Sequence, residues 1–173
     1  LGGGISVSAG GLAVVENSFV GGDVGVPAID VNSNADANVV YSTLVGGSFT
    51  NVLFCPMAPM DAGDVRVRNS LVAARGSDDE INCVANSLDV TYTATATAAA
   101  FPGMANEGVG EFPGGTPTDW FVNISDDFSL QNDAPALMED VALWVEGDPA
   151  TDITGMTQRP TAEGADYAGA HIP

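Results

Sequence analysis

Asp78-Asp79-Glu80 and Asp126-Asp127 are the densest acidic clusters in the chain. Carboxylates grouped in this way do one of two jobs. They hold calcium through oxygen ligands, or they split a glycosidic bond, one protonating the leaving oxygen while the other activates water or attacks the sugar. Asp61 with Asp64 is a further oxygen pair for calcium, although no Gly-Gly-x-Gly-x-Asp series recurs to make a calcium-binding repeat. Both clusters stand at turn-like positions, beside Gly76-Ser77 and Ser125, and a solvated turn explains them better than a site does. Other chemistry is scarce. His171 is the sole histidine and is read as an exposed tail residue, so no nucleophile acquires a partner base, and two cysteines with one distant histidine make no metal ligand set.

The elements that must position these residues repeat. Strand-like segments containing Ser18, Thr43, Ser70 and Thr95 recur at spacings of 25, 27 and 25, and a shorter strand containing Ile5, Ile29, Leu53 and Ile81 recurs at 24, 24 and 28. Each alternates apolar with polar residues, as a strand with one buried face does. One coil of this length cannot bury its own inward side chains, whereas coils stacked ~4.8 Å apart make continuous apolar columns. The expected fold is an all-β solenoid with two strands per coil. Ile5, Ile29, Leu53 and Ile81 form one inward column; Val15, Val40 or Tyr41, Val67 and Tyr92 form another. Asn17, Ser42, Asn69 and Ala94 are placed at the bend, with stacked amides, and Gly10-Gly11, Gly21-Gly22 and Gly46-Gly47 at corners that need positive backbone angles.

This register puts Glu16, Tyr41, Arg68 and Thr93 in one outward column, with Val14, Val39, Arg66 and Thr91 beside it. Glu16, Tyr41, Arg66 and Arg68 could hold a sugar ring and its carboxylate, the guanidinium forks making paired hydrogen bonds. An ordinary cross-strand charge pair on a solvated sheet is the plainer account. Thr91, Thr93, Thr95 and Thr97 share one face, but an ice-binding plane needs threonines on every rung and Glu16, Tyr41 and Arg68 occupy the equivalent places. Cys55 and Cys83 fall in one inward column on adjacent rungs, within the reach of a disulfide. They are either that bridge or two buried thiols, and an extracellular setting favours the bridge.

Charge narrows the partners. The chain of 173 residues carries 23 acidic residues against Arg66, Arg68, Arg75 and Arg159, with no lysine, for a net charge of −19. Such a surface repels nucleic acid and anionic membrane. The apolar runs are too short for a transmembrane helix, so no membrane insertion is expected. The opening Leu1-Gly2-Gly3-Gly4-Ile5 lacks an initiator methionine and reads as the middle of a repeat, which suggests a fragment of a longer protein.

The Gly2-Gly3-Gly4-Ile5-Ser6-Val7 opening and strands of the type Val15-Glu16-Asn17-Ser18-Phe19-Val20-Gly21-Gly22 resemble the right-handed parallel β-helix repeat proteins of bacterial cell surfaces, the pectate-lyase-like architecture. Right-handedness comes from that resemblance, which covers roughly residues 1–97. Residues 98–119, with Phe101-Pro102-Gly103 and Phe112-Pro113-Gly114, break the period and read as a long loop. Residues 120–173 resemble the terminal coil and loop-rich C-terminal cap that closes such a helix, with Trp120 and Trp144 packing it and a small helix within Ala134–Val145.

The function this implies is a non-catalytic, extracellular or cell-surface structural and adhesion module, binding polysaccharide or surface glycan through an outward sheet face. It needs no cofactor; calcium is the one ion its acids could hold. One alternative is a carbohydrate-active enzyme, a polysaccharide lyase or glycoside hydrolase. Another is a fibre subunit that self-associates through its coil ends.

Overall fold

The structure, a computed structural model, describes residues 4–56, 62–75, 80–83, 85–95, 110–111, 119–132 and 141–173. Every named element among them is a strand. The first coil contains β1 (Ile5–Val7), β2 (Leu12–Glu16) and β3 (Phe19–Gly21). The second contains β4 (Ile29–Val31), β5 (Asp36–Val40) and β6 (Thr43–Val45), and the third β7 (Leu53–Cys55), β8 (Ala62–Arg68) and β9 (Leu71–Ala73). The fourth contains β10 (Ile81–Cys83), β11 (Ala85–Thr91) and β12 (Ala94–Thr95), with β13 (Gly110–Glu111) added beside β12. Like strands stack in parallel into three sheets, β1-β4-β7-β10, β2-β5-β8-β11 and β3-β6-β9-β12-β13. The fold is a parallel β-solenoid with three strands per coil, not two.

The third strand arises because the chain bends sharply after β2, β5, β8 and β11. The bend residues are Asn17, Tyr41, Asn69 and Tyr92, all with φ between 46° and 54°. Asparagine tolerates this left-handed conformation; tyrosine adopts it only where the surroundings impose it. The next residue is a hydroxyl in every coil. Ser18, Ser42 and Ser70 each donate their backbone N–H to the hydroxyl of the following coil, at Ser42 (3.3 Å), Ser70 (3.2 Å) and Thr93 (3.4 Å). Each hydroxyl in turn donates to the carbonyl two residues before it, as Ser18 does to Glu16 at 2.7 Å and Ser70 to Arg68 at 2.8 Å. A corner that would leave backbone N–H groups unpaired in the interior is thereby satisfied by a hydroxyl ladder rather than by stacked amides.

This ladder corrects the register. The first column stands as expected, Ile5, Ile29, Leu53 and Ile81 being direct partners. The second is Val15, Val39, Val67 and Val90, so Val40, Tyr41 and Tyr92 leave it. The equivalent hydroxyls are separated by 24, 28 and 23 residues. The glycine corners divide: Gly10 has the expected positive φ, 71°, whereas Gly22 and Gly47 are built differently. A Cβ on Gly47 would lie 1.6 Å from the Asp23 carbonyl oxygen, and one on Gly22 would lie 2.1 Å from that of Val26. Close backbone stacking, not positive φ, requires glycine there.

The interior is filled by the inward residues of all three sheets, with Ile29, Val31, Val39, Leu53, Val65, Val67, Val72 and Val90 fully buried. A second core lies outside the coils. There Tyr41, Val45, Leu71, Ala73 and Ala94 pack against Trp120, Phe121, Phe128, Leu130, Ala142, Trp144 and Ala168 from the C-terminal segment. That segment contributes two antiparallel pairs, β14 (Phe121–Asn123) with β15 (Asp127–Leu130) and β16 (Ala142–Trp144) with β17 (Gly164–Asp166). Its described residues lie along the flank, over β6 and β9. Those strands are buried on both faces and are apolar without alternation, as Leu44-Val45 and Leu71-Val72-Ala73 show.

Residues 142–144, placed in the expected small helix, are strand; residues 133–140 lie outside the described residues. The reason is Asn69. Projecting from its left-handed bend, its amide donates to the Leu143 carbonyl at 2.8 Å and accepts the Leu143 N–H at 3.0 Å, the pairing a neighbouring strand would offer. Helix propensity over one short segment is too weak to oppose this.

Cys55 and Cys83 are partners in register across β7 and β10 and form the expected disulfide, with Cα atoms 4.2 Å apart and a sequence separation of 28. Such a bond belongs to an oxidising compartment. No helix among the described residues is long and apolar enough to cross a membrane.

Candidate functional site

The flank segment covers one sheet and leaves another open. The outer face of β2-β5-β8-β11 carries Val14, Asn38, Arg66 and Asp89 in one row across the strands, and Glu16, Val40, Arg68 and Thr91 in the next. Alternation along each strand turns these residues outward while Val15, Val39, Val67 and Val90 fill the interior. Asn38, Val40, Arg66, Arg68, Asp89 and Thr91 line a shallow depression of about 510 Å³ on this face.

The four residues expected to form the sugar-binding face separate. Glu16 is exposed, but on the first rung, two strands from Arg68. Tyr41 is not on the face at all. It is fully buried under the flank segment, with the Arg159 guanidinium 4.0 Å above its ring, and burial together with the nearby Asp166 and Asp148 pushes its phenol pKa upward. The one-residue register shift at the second coil moved it from the outward row to the bend. The same correction turns Val39 inward and buries Thr93 in the ladder.

Arg68 stands at the edge of the depression, and its charge is committed. It pairs with Asp148, donating Nη1–H to Oδ2 at 3.0 Å, and that hydrogen bond raises its pKa. Two other arginines are likewise used by the fold. Arg75 donates to the carbonyls of Ile124 (2.9 Å), Gly22 and Ser125 and lies over Phe128. Arg159, buried, donates to Asp166 (2.9 Å), Tyr167 and Gly169. Arg66 differs. It is exposed, and among the described residues it forms no ion pair. Its row neighbours are Asn38 and Asp89.

Asn38 and Asp89 were missed in the sequence because their strands were aligned one and two residues out of place. The signal that finds them is a hydroxyl directly after Asn or Tyr, as in Asn17-Ser18, Tyr41-Ser42, Asn69-Ser70 and Tyr92-Thr93.

The acidic clusters divide. Asp61, Asp78 and Asp79 lie outside the described residues. Asp64 is exposed, and its N–H is held by the Asp36 carboxylate at 2.8 Å. Glu80 is 2 % exposed, so it is not the solvated turn residue expected. Asp127 closes a turn, its carboxylate accepting the Ser129 N–H at 3.1 Å. Among the described residues no three His, Cys, Asp or Glu side chains converge as metal ligands.

His171 is half-buried rather than a free tail residue. Its Nδ1 accepts the Leu130 N–H at 3.1 Å and so joins the end of the flank segment to β15. A backbone N–H can only donate, so this bond requires Nδ1 unprotonated. Burial lowers the His171 pKa from 6.5, against the opposing pull of Asp152 and Asp127. The unfolded chain therefore binds the proton first as pH falls through about 6.5. The resulting loss of stability begins there and continues down to the lowered folded pKa. Denaturant midpoints should fall between pH 7 and pH 5, and His171→Gln should flatten that slope. The Asp152 and Asp127 carboxylates, both held below 3.8, act only in a lower range.

No protein-family model, curated protein or solved structure matches this chain.

Proposed function

We propose that this chain is a non-catalytic structural and adhesion module of a secreted or bacterial cell-surface protein of the pectate-lyase-like β-helix type, and that the open face of β2-β5-β8-β11 binds glycan. The observation that carries the reading is the use of the arginines. In a chain of net charge −19, Arg68 and Arg75 tie the coils to the flank segment and Arg159 braces that segment over Tyr41, while Arg66 faces an open depression between Asn38 and Asp89. An amide, a guanidinium, a carboxylate and the Thr91 hydroxyl together offer the donors and acceptors that sugar hydroxyls pair with. The rigid stack beneath holds them in fixed register, and the disulfide suits an oxidising exterior.

The test is incubation of the protein with immobilised polysaccharides, with calcium and with chelator, following protein retention and any new reducing or unsaturated ends. Retention without new ends is expected, weakened about tenfold or more in Arg66→Ala, the effect of losing roughly 1.4 kcal/mol of contact. Appearance of product would make the chain an enzyme, and absence of retention on every polysaccharide would remove the adhesive role.

A further inference from the structure

The open face holds a second depression of about 260 Å³, lined by Leu12, Val14, Asp36, Asn38, Asp64 and Arg66 among others. It shares Asn38 and Arg66 with the first, so the two are continuous. Their characters differ. The first extends to Asp89 and Thr91 on β11 and is polar. The second extends to β2, where Leu12 and Val14 are 63 % and 61 % exposed and form an apolar floor beside the Asp36 and Asp64 carboxylates.

Together they cross all four strands of the sheet, in the direction in which the coils stack. Four strands ~4.8 Å apart span roughly 15 Å. A ligand that filled this track would lie along the solenoid axis and be several units long. A single ring would reach only one half of it.

The charge of the track selects the ligand. Asp36, Asp64 and Asp89 face it against the guanidinium of Arg66, which forms no ion pair among the described residues, and the molecule as a whole is strongly acidic. Carboxylated or sulfated chains meet net repulsion here. Neutral hydroxyl groups do not: carboxylates accept from them, and the Arg66 guanidinium and the Asn38 amide donate to them. The exposed Leu12 and Val14 side chains suit the apolar C–H face of a sugar ring, in the way binding sites join an apolar surface to a few polar groups.

Resting on the glycan-binding reading, we infer that the track takes a neutral, extended oligosaccharide running along the stack, with its apolar ring face on Leu12 and Val14 and its hydroxyl groups on Asn38, Arg66 and Asp89.

The experiment is calorimetric titration with glucose, with cello-oligosaccharides and manno-oligosaccharides of increasing length, and with oligogalacturonates as the acidic counterpart. It is run on the wild type, Val14→Asp and Arg66→Ala, with sedimentation velocity of each protein alone. Both substitutions are at exposed positions, and retained denaturant midpoints confirm folding. The expected result is neutral-chain binding that strengthens about tenfold or more from glucose to the longer oligomers and weakens about tenfold or more in both variants. Tight binding of oligogalacturonate with none of the neutral chains would overturn the inference and leave the glycan reading standing. Binding of neutral oligomers unaffected by Val14→Asp would remove the apolar half of the track, and with it the inference. No binding by any sugar would end both. A dimer of the wild type that Val14→Asp disperses, without sugar binding, would assign the apolar floor to a second copy of the chain instead.

Discussion

Replacing Arg159 by methionine is expected to lower stability by about 3–5 kcal/mol, the cost of leaving one partner of a buried ion pair uncompensated. Arg159 is 2 % exposed and holds the flank segment together. One guanidinium nitrogen reaches Asp166 at 2.9 Å and the Tyr167 carbonyl, the other reaches the Gly169 carbonyl at 2.8 Å, and its plane lies over Tyr41. Methionine fills similar space but abandons the Asp166 carboxylate and the two carbonyls. Adding Asp166→Leu should recover part of the loss, because it removes the abandoned carboxylate, while the Tyr167 and Gly169 carbonyls stay without their donor. Guanidinium-induced unfolding of both variants checks this. A single variant as stable as the wild type would mean that the Arg159–Asp166 pair contributes nothing to the fold.

Opening the disulfide is expected to be nearly as costly. It closes a loop of 28 residues, worth about 3–4 kcal/mol in the chain-entropy account. The bond joins β7 to β10, across the longest of the intervals between equivalent residues in that sheet, so it holds the fourth coil on the stack where backbone connection alone is loosest. Reductant, or the paired change Cys55→Ala with Cys83→Ala, should shift the unfolding midpoint by the corresponding amount. Midpoints that coincide with and without reductant would show that the fourth coil is held by its sheets alone.

The stacked architecture was legible because it depends on one-dimensional periodicity. Ile5, Ile29, Leu53 and Ile81 could be aligned from apolar spacing, and Cys55 and Cys83 from that alignment. The second column was misread for a local reason. Tyr41 and Tyr92 look like core or sugar-stacking residues, and nothing in an aromatic side chain announces a left-handed bend. One misplaced residue then turned Tyr41 and Val39 to the wrong sides of the sheet.

The flank contacts had no periodic signal at all. Arg68 meets Asp148 across 80 residues of sequence, and Asn69 meets Leu143 across 74. Only the unbroken apolar runs of β6 and β9 hinted that a second layer covers them. As a result Arg68 was placed on an open face when its charge is committed to Asp148, and the face that remains is smaller, centred on Arg66, and joined to Asn38 and Asp89.

The most direct test of that division of labour is a nuclear magnetic resonance titration that follows the four arginine Nε–H resonances as a bound neutral oligosaccharide is added. The Arg66 resonance is expected to move and saturate with the ligand while those of Arg68, Arg75 and Arg159 stay in place. Movement centred on any of the other three, with Arg66 silent, would contradict it.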